Sequence, residues 1–290
     1  MESPCASRSW HRCWGKRVSV PAPAAWSSGS TEPPVPEGDT IWRTAAALRR
    51  SLLGQTVVAA RPAALERLSG SVLEDVHPVG KHLLLRFSGG WTLHSHMRLF
   101  GSWHLYRPGE RWRKSARAAR AVLEFGDWLA VCFSAPLVEL TQQPLAGIAH
   151  LGPDILAADV SWEQITRRAR ALGPVPLGEL LLDQRVCCGI GNVYKCEALW
   201  TLGLDPWLRS DALTDERLTQ LFITARQAMQ ANLSGGFERR FESGRSRAVH
   251  GRRSRPCPRC GTAVATRQQG EQARWTYFCP TCQRTAASAS

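Results

Sequence analysis

Four cysteines near the C-terminus have the spacing of a metal site: Cys257-x2-Cys260, 18 intervening residues, then Cys279-x2-Cys282. Each C-x-x-C turns two thiolates back onto one ion, and two such pairs complete a tetrahedron. A redox dithiol accounts for one pair but not for two. Such a site is closed, so a single zinc there is expected to be structural, adding folding energy and no hydrolytic water. The residues between the pairs can make a β-hairpin, with Thr262 to Arg267 and Arg274 to Phe278 as its strands. A second chemical stretch is Gly189-Ile190-Gly191-Asn192. Two close glycines opening a helix let backbone amides reach an anion at its N-terminus, although a packing turn is the default meaning of such a pair. Taken alone, Val35-Pro36-Glu37-Gly38-Asp39-Thr40 is a turn-like acidic segment, and Lys81 in Gly80-Lys81-His82 is an ordinary strand-opening lysine. His94 and His96 alternate on a strand with no third ligand and are read as packing side chains. Cys187 and Cys188 are read as small buried side chains rather than nucleophiles.

Composition limits the field. The 290 residues suffice for two or three domains, and 43% hydrophobic content fits a globular chain. No run of 18 apolar residues is present, so no transmembrane helix is expected. The net charge is +13, the pI is near 9.9, and the cations are nearly all Arg. Such an excess suits a phosphate backbone or an anionic membrane. Of the ten cysteines, the six outside the paired motif form no regular framework, which points to an intracellular metal protein rather than a disulfide scaffold.

The elements that must position these groups can be read in order. Residues 1–35 are rich in Ser, Pro, Ala and Trp and carry Arg8, Arg12, Lys16 and Arg17, but no apolar stretch of signal-peptide length. Thr40 to Leu53 has helical spacing in Ile41, Ala45, Leu48 and Leu52, stopped by Gly54. Strands are expected at His82 to Phe87, Trp91 to His94, Val122 to Phe125 and Trp128 to Phe133. Arg107, Arg111, Arg113, Lys114, Arg117 and Arg120 form a cationic run, either a solvated loop or a DNA-contact strip. From about residue 151 helices dominate: Trp162 to Leu172, Leu177 to Leu182, Val193 to Leu202 and Asp215 to Leu233, the last with capping candidates in Asp211 to Thr214. Residues 285–290 read as a tail.

Taken together, Pro36-Glu37-Gly38, Gly80-Lys81, the string from Leu181 through Gly189-Ile190-Gly191-Asn192 to Tyr194, and the paired cysteines resemble the formamidopyrimidine-DNA glycosylase/endonuclease VIII family of base-excision repair enzymes. The resemblance covers about Pro36 to Gln283. It implies an α+β multidomain fold: an N-terminal β-sandwich with a helix over 36–150, a helix-two-turn-helix domain over 151–250, and a zinc-finger β-hairpin over 251–284. It implies that Pro36 is the nucleophile through a free N-terminal amine, that Glu37 is the general acid/base, and that Lys81 contacts phosphate beside the scissile sugar. Arg98, Leu99 and Phe100 would fill the helix stack after a base is everted, with Leu99 as wedge and Phe100 as stacker. Asn192 and nearby amides would grip phosphates, and Arg274 would contact phosphates from the hairpin. Family members begin Met-Pro-Glu and lose the Met, whereas Pro36 follows 35 residues. Val35 stands at the initiator position, and GUG encodes Val internally but Met at a start. The segment is therefore read as an extension that is not native protein, or else a transit peptide. Without it Lys+Arg falls from 37 to 33 and Asp+Glu from 24 to 22, and the chain stays basic at +11.

The implied activity is that of a bifunctional DNA glycosylase/AP lyase with damaged double-stranded DNA as partner, working as a monomer in the bacterial cytoplasm at the nucleoid. Phe133-Ser134-Ala135-Pro136-Leu137-Val138-Glu139 replaces the Arg-Arg-Phe segment of the formamidopyrimidine branch, which favours the endonuclease VIII branch and oxidised pyrimidines. Two departures stand out: Asp39-Thr40 where many relatives have Pro-Glu, and His250-Gly251-Arg252 where relatives often have Tyr-Gly-Arg. The alternatives are a non-catalytic damaged-DNA binder with Pro36 blocked, and a zinc-dependent transcription factor without covalent chemistry.

Overall fold

The computed structural model describes residues 36–143, 146–233 and 247–284. The expected extension at 1–35 and the tail at 285–290 lie outside them. Helix α1 (Gly38–Leu52) begins at Glu37, whose extended backbone (φ −113°, ψ −179°) marks the cap, and buries Ile41, Ala45, Leu48 and Leu52. Burying the Ile and Leu side chains contributes about 1.5–3 kcal/mol each. Eight strands follow: β1 (Val57–Arg61), β2 (Leu73–Val79), β3 (His82–Phe87), β4 (Trp91–His96), β5 (Ser102–Tyr106), β6 (Ala119–Phe125), β7 (Trp128–Phe133) and β8 (Leu137–Thr141). They form two antiparallel four-stranded sheets, ordered β1-β6-β7-β5 and β2-β3-β4-β8. One core holds the apolar faces of both sheets and of α1, including Leu83, Leu85, Phe87 and Leu93 with Leu123, Phe125, Ala130 and Cys132.

A second core belongs to the helices α2 (Trp162–Ala171), α3 (Leu177–Leu180), α4 (Asn192–Thr201) and α5 (Asp215–Leu233). Leu177, Leu180, Ile190, Tyr194, Leu199, Leu218, Phe222 and Met229 fill it. Ser161 caps α2 by accepting from the Gln164 N–H at 3.2 Å. Arg170 clips α2 to the start of α5 through Asp215 at 2.8 Å and the carbonyls of Ser210 and Leu213. Strands β9 (Ala265–Gln269) and β10 (Arg274–Phe278) form the C-terminal hairpin. Among the described residues no helix is long and apolar enough to cross a membrane.

Candidate active site and nucleic-acid face

Glu37 is 1% exposed, and its Oε1 accepts from the Val193 N–H at 2.9 Å in the first turn of α4. The helix N-terminus attracts a carboxylate there by its exposed N–H groups and its dipole. Gly191 makes the approach possible, because a Cβ at that position would run into the Glu37 carboxyl group. Next door the Gly38 N–H donates to the Gly189 carbonyl at 2.9 Å. The opening stretch and the Gly-x-Gly loop, distant in sequence, are thus one local structure. Pro36 is half-buried directly before Glu37.

Lys81 enters from the turn between β2 and β3. Gly80 has φ +57° and lies so close to Cys188 that a Cβ would come within 2.8 Å of its Cβ. The Gly80 N–H donates to Asp154 Oδ2 at 2.8 Å. The same oxygen accepts from Trp42 Nε1 of α1 at 3.2 Å, and Oδ1 accepts from the Leu156 N–H at 2.8 Å. Asp154 therefore ties the helix behind Glu37 to the turn that carries Lys81. Burial raises its carboxyl pKa, opposed by these hydrogen bonds. The Lys81 amine is lowered to about 8, first by burial; Glu37 pulls it up and Arg274 pushes it further down. Glu37, Lys81 and Arg274 thus lie within electrostatic reach of one another.

Arg274 opens β10, and its guanidinium donates to Gln272 Oε1 at 2.7 and 2.9 Å. The next residue, Trp275, accepts at its carbonyl from Asn192 Nδ2 at 2.8 Å. Lys195, fully buried on α4, donates to Thr276 Oγ1 at 2.7 Å, and Thr276 donates to Gln269 Oε1 at 2.9 Å. The hairpin is in this way fixed to the helix that receives Glu37. Glu197 completes the support: its carboxylate, buried in α4, accepts from the N–H groups of Ala248, Val249 and His250. Asp154 and Glu197 were both missed by sequence reasoning. The signal for the first was the Gly152-Pro153-Asp154 turn; the second had none beyond a charged residue inside an apolar helix face.

Arg98, Leu99 and Phe100 form the turn between β4 and β5. Leu99 is 48% and Phe100 51% exposed, unusual for apolar side chains of this size. The turn is stiff. Arg98 has φ +46°, its N–H donates to His96 Nδ1 at 3.2 Å, and the Gly101 N–H donates to the Met97 carbonyl at 2.8 Å. Lys114, from the cationic run, donates to the Phe100 carbonyl at 3.3 Å, and Arg107 of the same run stacks on Trp128 at 3.8 Å. Beneath the turn His82 Nδ1 and His94 Nε2 lie 2.8 Å apart. Burial, followed by neighbouring imidazoles and cations, pushes His82 to about 3 and His96 to about 4, so these rings are neutral packing groups.

The four cysteine sulfurs lie within 4.8 Å of one another, the one cluster of three or more potential ligands among the described residues. Two of the separations are 3.4 Å (Cys260 to Cys279) and 4.0 Å (Cys257 to Cys282). A tetrahedral ion with about 2.3 Å bonds to sulfur needs edges of about 3.8 Å, so the four thiolates fit such an ion. The contacts are far too long for disulfides, which need about 2.05 Å. Cys187 and Cys188 are buried; burial pushes the Cys188 thiol up to about 12 and the Cys187 thiol well above its ordinary value, which suits inert packing groups.

Residues 35–136 match the formamidopyrimidine-DNA glycosylase N-terminal domain, and residues 151–242 match the formamidopyrimidine-DNA glycosylase H2TH domain. The chain is 41% identical over 260 residues to "Probable endonuclease 8 2" of Streptomyces coelicolor, covering 86% of this chain and 94% of that protein. This chain belongs to the formamidopyrimidine-DNA glycosylase/endonuclease 8 family. It is also 35% identical over 262 residues to "DNA-(apurinic or apyrimidinic site) lyase Nei2" of Mycolicibacterium smegmatis, covering 86% of this chain and 99% of the relative. Among solved structures of the family, the MutM (Fpg) protein of Thermus thermophilus superimposes with a TM-score of 0.71 at 28% identity, covering 86% of this chain and 98% of that one. The Lactococcus lactis Fpg (MutM), in complex with DNA containing N7-benzyl-Fapy-dG, has the same fold, with a TM-score of 0.75 at 20% identity over 86% of this chain and all of the other.

Proposed function

We propose that this chain is a bifunctional DNA glycosylase/AP lyase of the endonuclease 8 type that removes oxidised pyrimidines from duplex DNA. The observation that carries this reading is the docking of Glu37 on the first turn of α4, directly after Pro36 and within electrostatic reach of Lys81 and Arg274. The relative at 41% identity is named an endonuclease 8, which supports that branch, and the Phe133 to Glu139 segment supports oxidised pyrimidines. As a free N-terminal amine, with a pKa of roughly 7.7–8.0, Pro36 has a neutral fraction near pH 7. Its lone pair attacks C1′ of the damaged nucleotide, and the base leaves with the glycosidic electrons. Glu37 takes the proton that the attacking nitrogen loses and passes it to the ring oxygen as the sugar opens to an iminium. The iminium acidifies C2′. Loss of that proton expels the 3′ phosphate by β-elimination, and a second elimination expels the 5′ phosphate. Lys81, Asn192 and Arg274 hold the phosphates around the lesion, and Arg98, Leu99 and Phe100 occupy the stack that the everted base leaves. Zinc at Cys257, Cys260, Cys279 and Cys282 keeps the hairpin folded, and the protein acts as a monomer in the bacterial cytoplasm.

The test is a chain beginning at Pro36 incubated with duplex DNA carrying one oxidised pyrimidine. Excision followed by a gap with phosphate on both sides is expected; an intact strand after base release would reject the lyase half of the assignment. In the same assay Leu99→Ala should slow excision from duplex about tenfold or more. It should leave cleavage of a preformed abasic site in a single strand nearly unchanged, since a single strand has no stack to refill. Equal losses on both substrates would remove Leu99 from the wedge role.

Lys81 gives a pH signature. Its ammonium is present below about pH 8 and lost above it. The KM for abasic-site duplex should therefore rise as pH passes about 8, and Lys81→Arg, which stays protonated, should remove that rise. An identical alkaline limb in Lys81→Arg would assign it to another group.

A further inference from the structure

Asn192 is held on two sides. Its Nδ2 donates to the Trp275 carbonyl at 2.8 Å and lies 3.2 Å from His250 Nε2. A carbonyl only accepts, so the Trp275 contact fixes which end of the amide carries nitrogen. Both Nδ2 hydrogens then point at protein, and the shorter of the two donor contacts on the His250 ring, 3.2 against 3.4 Å, assigns its lone pair to Nε2. A neutral imidazole has one such lone pair. Arg247 Nη1 lies 3.4 Å from the other ring nitrogen, a longer contact than the one to Asn192. The ring itself is buried and closely packed. It is 6% exposed, the residue's backbone N–H is gripped by Glu197 at 2.8 Å, and it packs on Tyr277 with ring centres 4.8 Å apart. Burial, with Arg247 and Lys195 nearby, holds the ring at about 3, so it is uncharged and able to accept.

We propose that His250 is a positioning residue for DNA binding: its neutral Nε2 keeps the Asn192 amide turned as a donor until a DNA phosphate takes the hydrogen that the two share. The inference rests on the reading that Asn192 contacts phosphate. The Trp275 contact is the shorter and is anchored in the hairpin, so the arriving phosphate replaces the His250 contact and the amide plane is kept. Preorganising the side chain spares the rotamer freedom that binding would otherwise remove. A second consequence concerns residue type. A group at position 250 that fills the space but cannot accept leaves the amide held by the Trp275 carbonyl alone, with its second N–H no longer fixed before the phosphate arrives.

The test uses the zinc-loaded chain beginning at Pro36 and a duplex with an uncleavable abasic analogue, with affinity measured across a salt series. Asn192 and His250 are both uncharged, so neither releases counterions, and the slope of log affinity against log salt should keep its wild-type value in every variant. Asn192→Ala and His250→Phe should each weaken binding about tenfold, as loss of a charge-assisted hydrogen bond does. The double variant should lose no more than either single one. His250→Gln, whose side-chain oxygen can accept, should restore the affinity. Thermal melts separate this from a packing defect: a merely structural His250 would lower the melting temperature and weaken binding in both His250 variants. Wild-type affinity in His250→Phe while Asn192→Ala weakens, or additive losses in the double variant, would overturn the proposal. Unchanged affinity in Asn192→Ala would remove the phosphate contact and the proposal with it, while leaving the lyase assignment to its own assay.

Discussion

A chain beginning at Pro36 is expected to form a covalent adduct with abasic-site DNA that borohydride traps, and the 290-residue chain is expected to give none through Pro36. The reason is electronic. Attack at C1′ needs a lone pair on the proline nitrogen. Behind Val35 that nitrogen is a tertiary amide, its lone pair delocalised into the Val35 carbonyl. Glu37 cannot restore an amine to it, and its Oε1 is in any case engaged with the Val193 N–H. The trapped fraction should therefore fall from most of the DNA to background between the two chains. DNA binding should persist in both, since Lys81, Asn192 and Arg274 are present in each. That is the behaviour of the damaged-DNA binder considered as an alternative, produced from one sequence by one peptide bond. Pro36→Gly in the short chain keeps a primary amine and should retain part of the trapping. Equal trapping by the long and short chains, with intact mass excluding proteolysis, would refute the role of Pro36.

Removing the metal is the second large effect. The core beneath the hairpin is small: Cys196, Val249, Val264 and Tyr277 with Cys257 and Cys279, two of the four sulfur donors themselves. Around it the knuckle is held by single hydrogen bonds, such as the Cys279 N–H to Gln283 Oε1 at 2.8 Å and Trp200 Nε1 to Cys257 Sγ at 3.3 Å. Structural zinc supplies about 10–16 kcal/mol of apparent binding free energy in such modules, far more than this core can. Cys279→Ser should therefore drop zinc from one per chain toward none. It should also cut strand cleavage by at least about a hundredfold, since losing an outer-shell partner alone costs up to about that much and this variant removes a ligand. The β-sandwich should stay folded, because its core is separate. Arg274 and the Trp275 carbonyl lose their places together, so DNA affinity and the positioning of Asn192 should fail at once. Full zinc content and normal cleavage in the variant would show that the four cysteines do not form the site.

How much of this was legible in the sequence depended on whether the signal was periodic or spatial. Helix α1, strands β3 and β7 and helix α5 were readable because their apolar spacing repeats over several turns or pleats. Strand β2 was hidden by Pro78, which an edge strand tolerates because only one side must donate to the ladder. Strand β1, Val57–Arg61, is short and alanine-containing, and β5 and β8 are five-residue strands at sheet edges. The first hairpin strand was placed too early. Thr262 belongs to the cysteine knuckle, where its carbonyl accepts from the Cys257 N–H at 2.8 Å, so pairing with β10 starts only at Ala265. In the site, Pro36, Glu37, Lys81 and Asn192 were named from the family resemblance, and the structure explains why the segments that carry them meet: Gly38, Gly80, Gly189 and Gly191 let the backbones touch. Asp154, Glu197 and His250 were not named as site residues, because a buried group that acts through partners far along the chain leaves no local pattern.

The most direct measurement of the central claim is the point of attachment. The short chain is reacted with abasic-site DNA, reduced with borohydride, digested with nuclease and protease, and the modified peptide is sequenced by mass spectrometry. The account predicts the reduced sugar remnant on the nitrogen of Pro36. A remnant on Lys81, or on any other lysine with Pro36 unmodified, would contradict it.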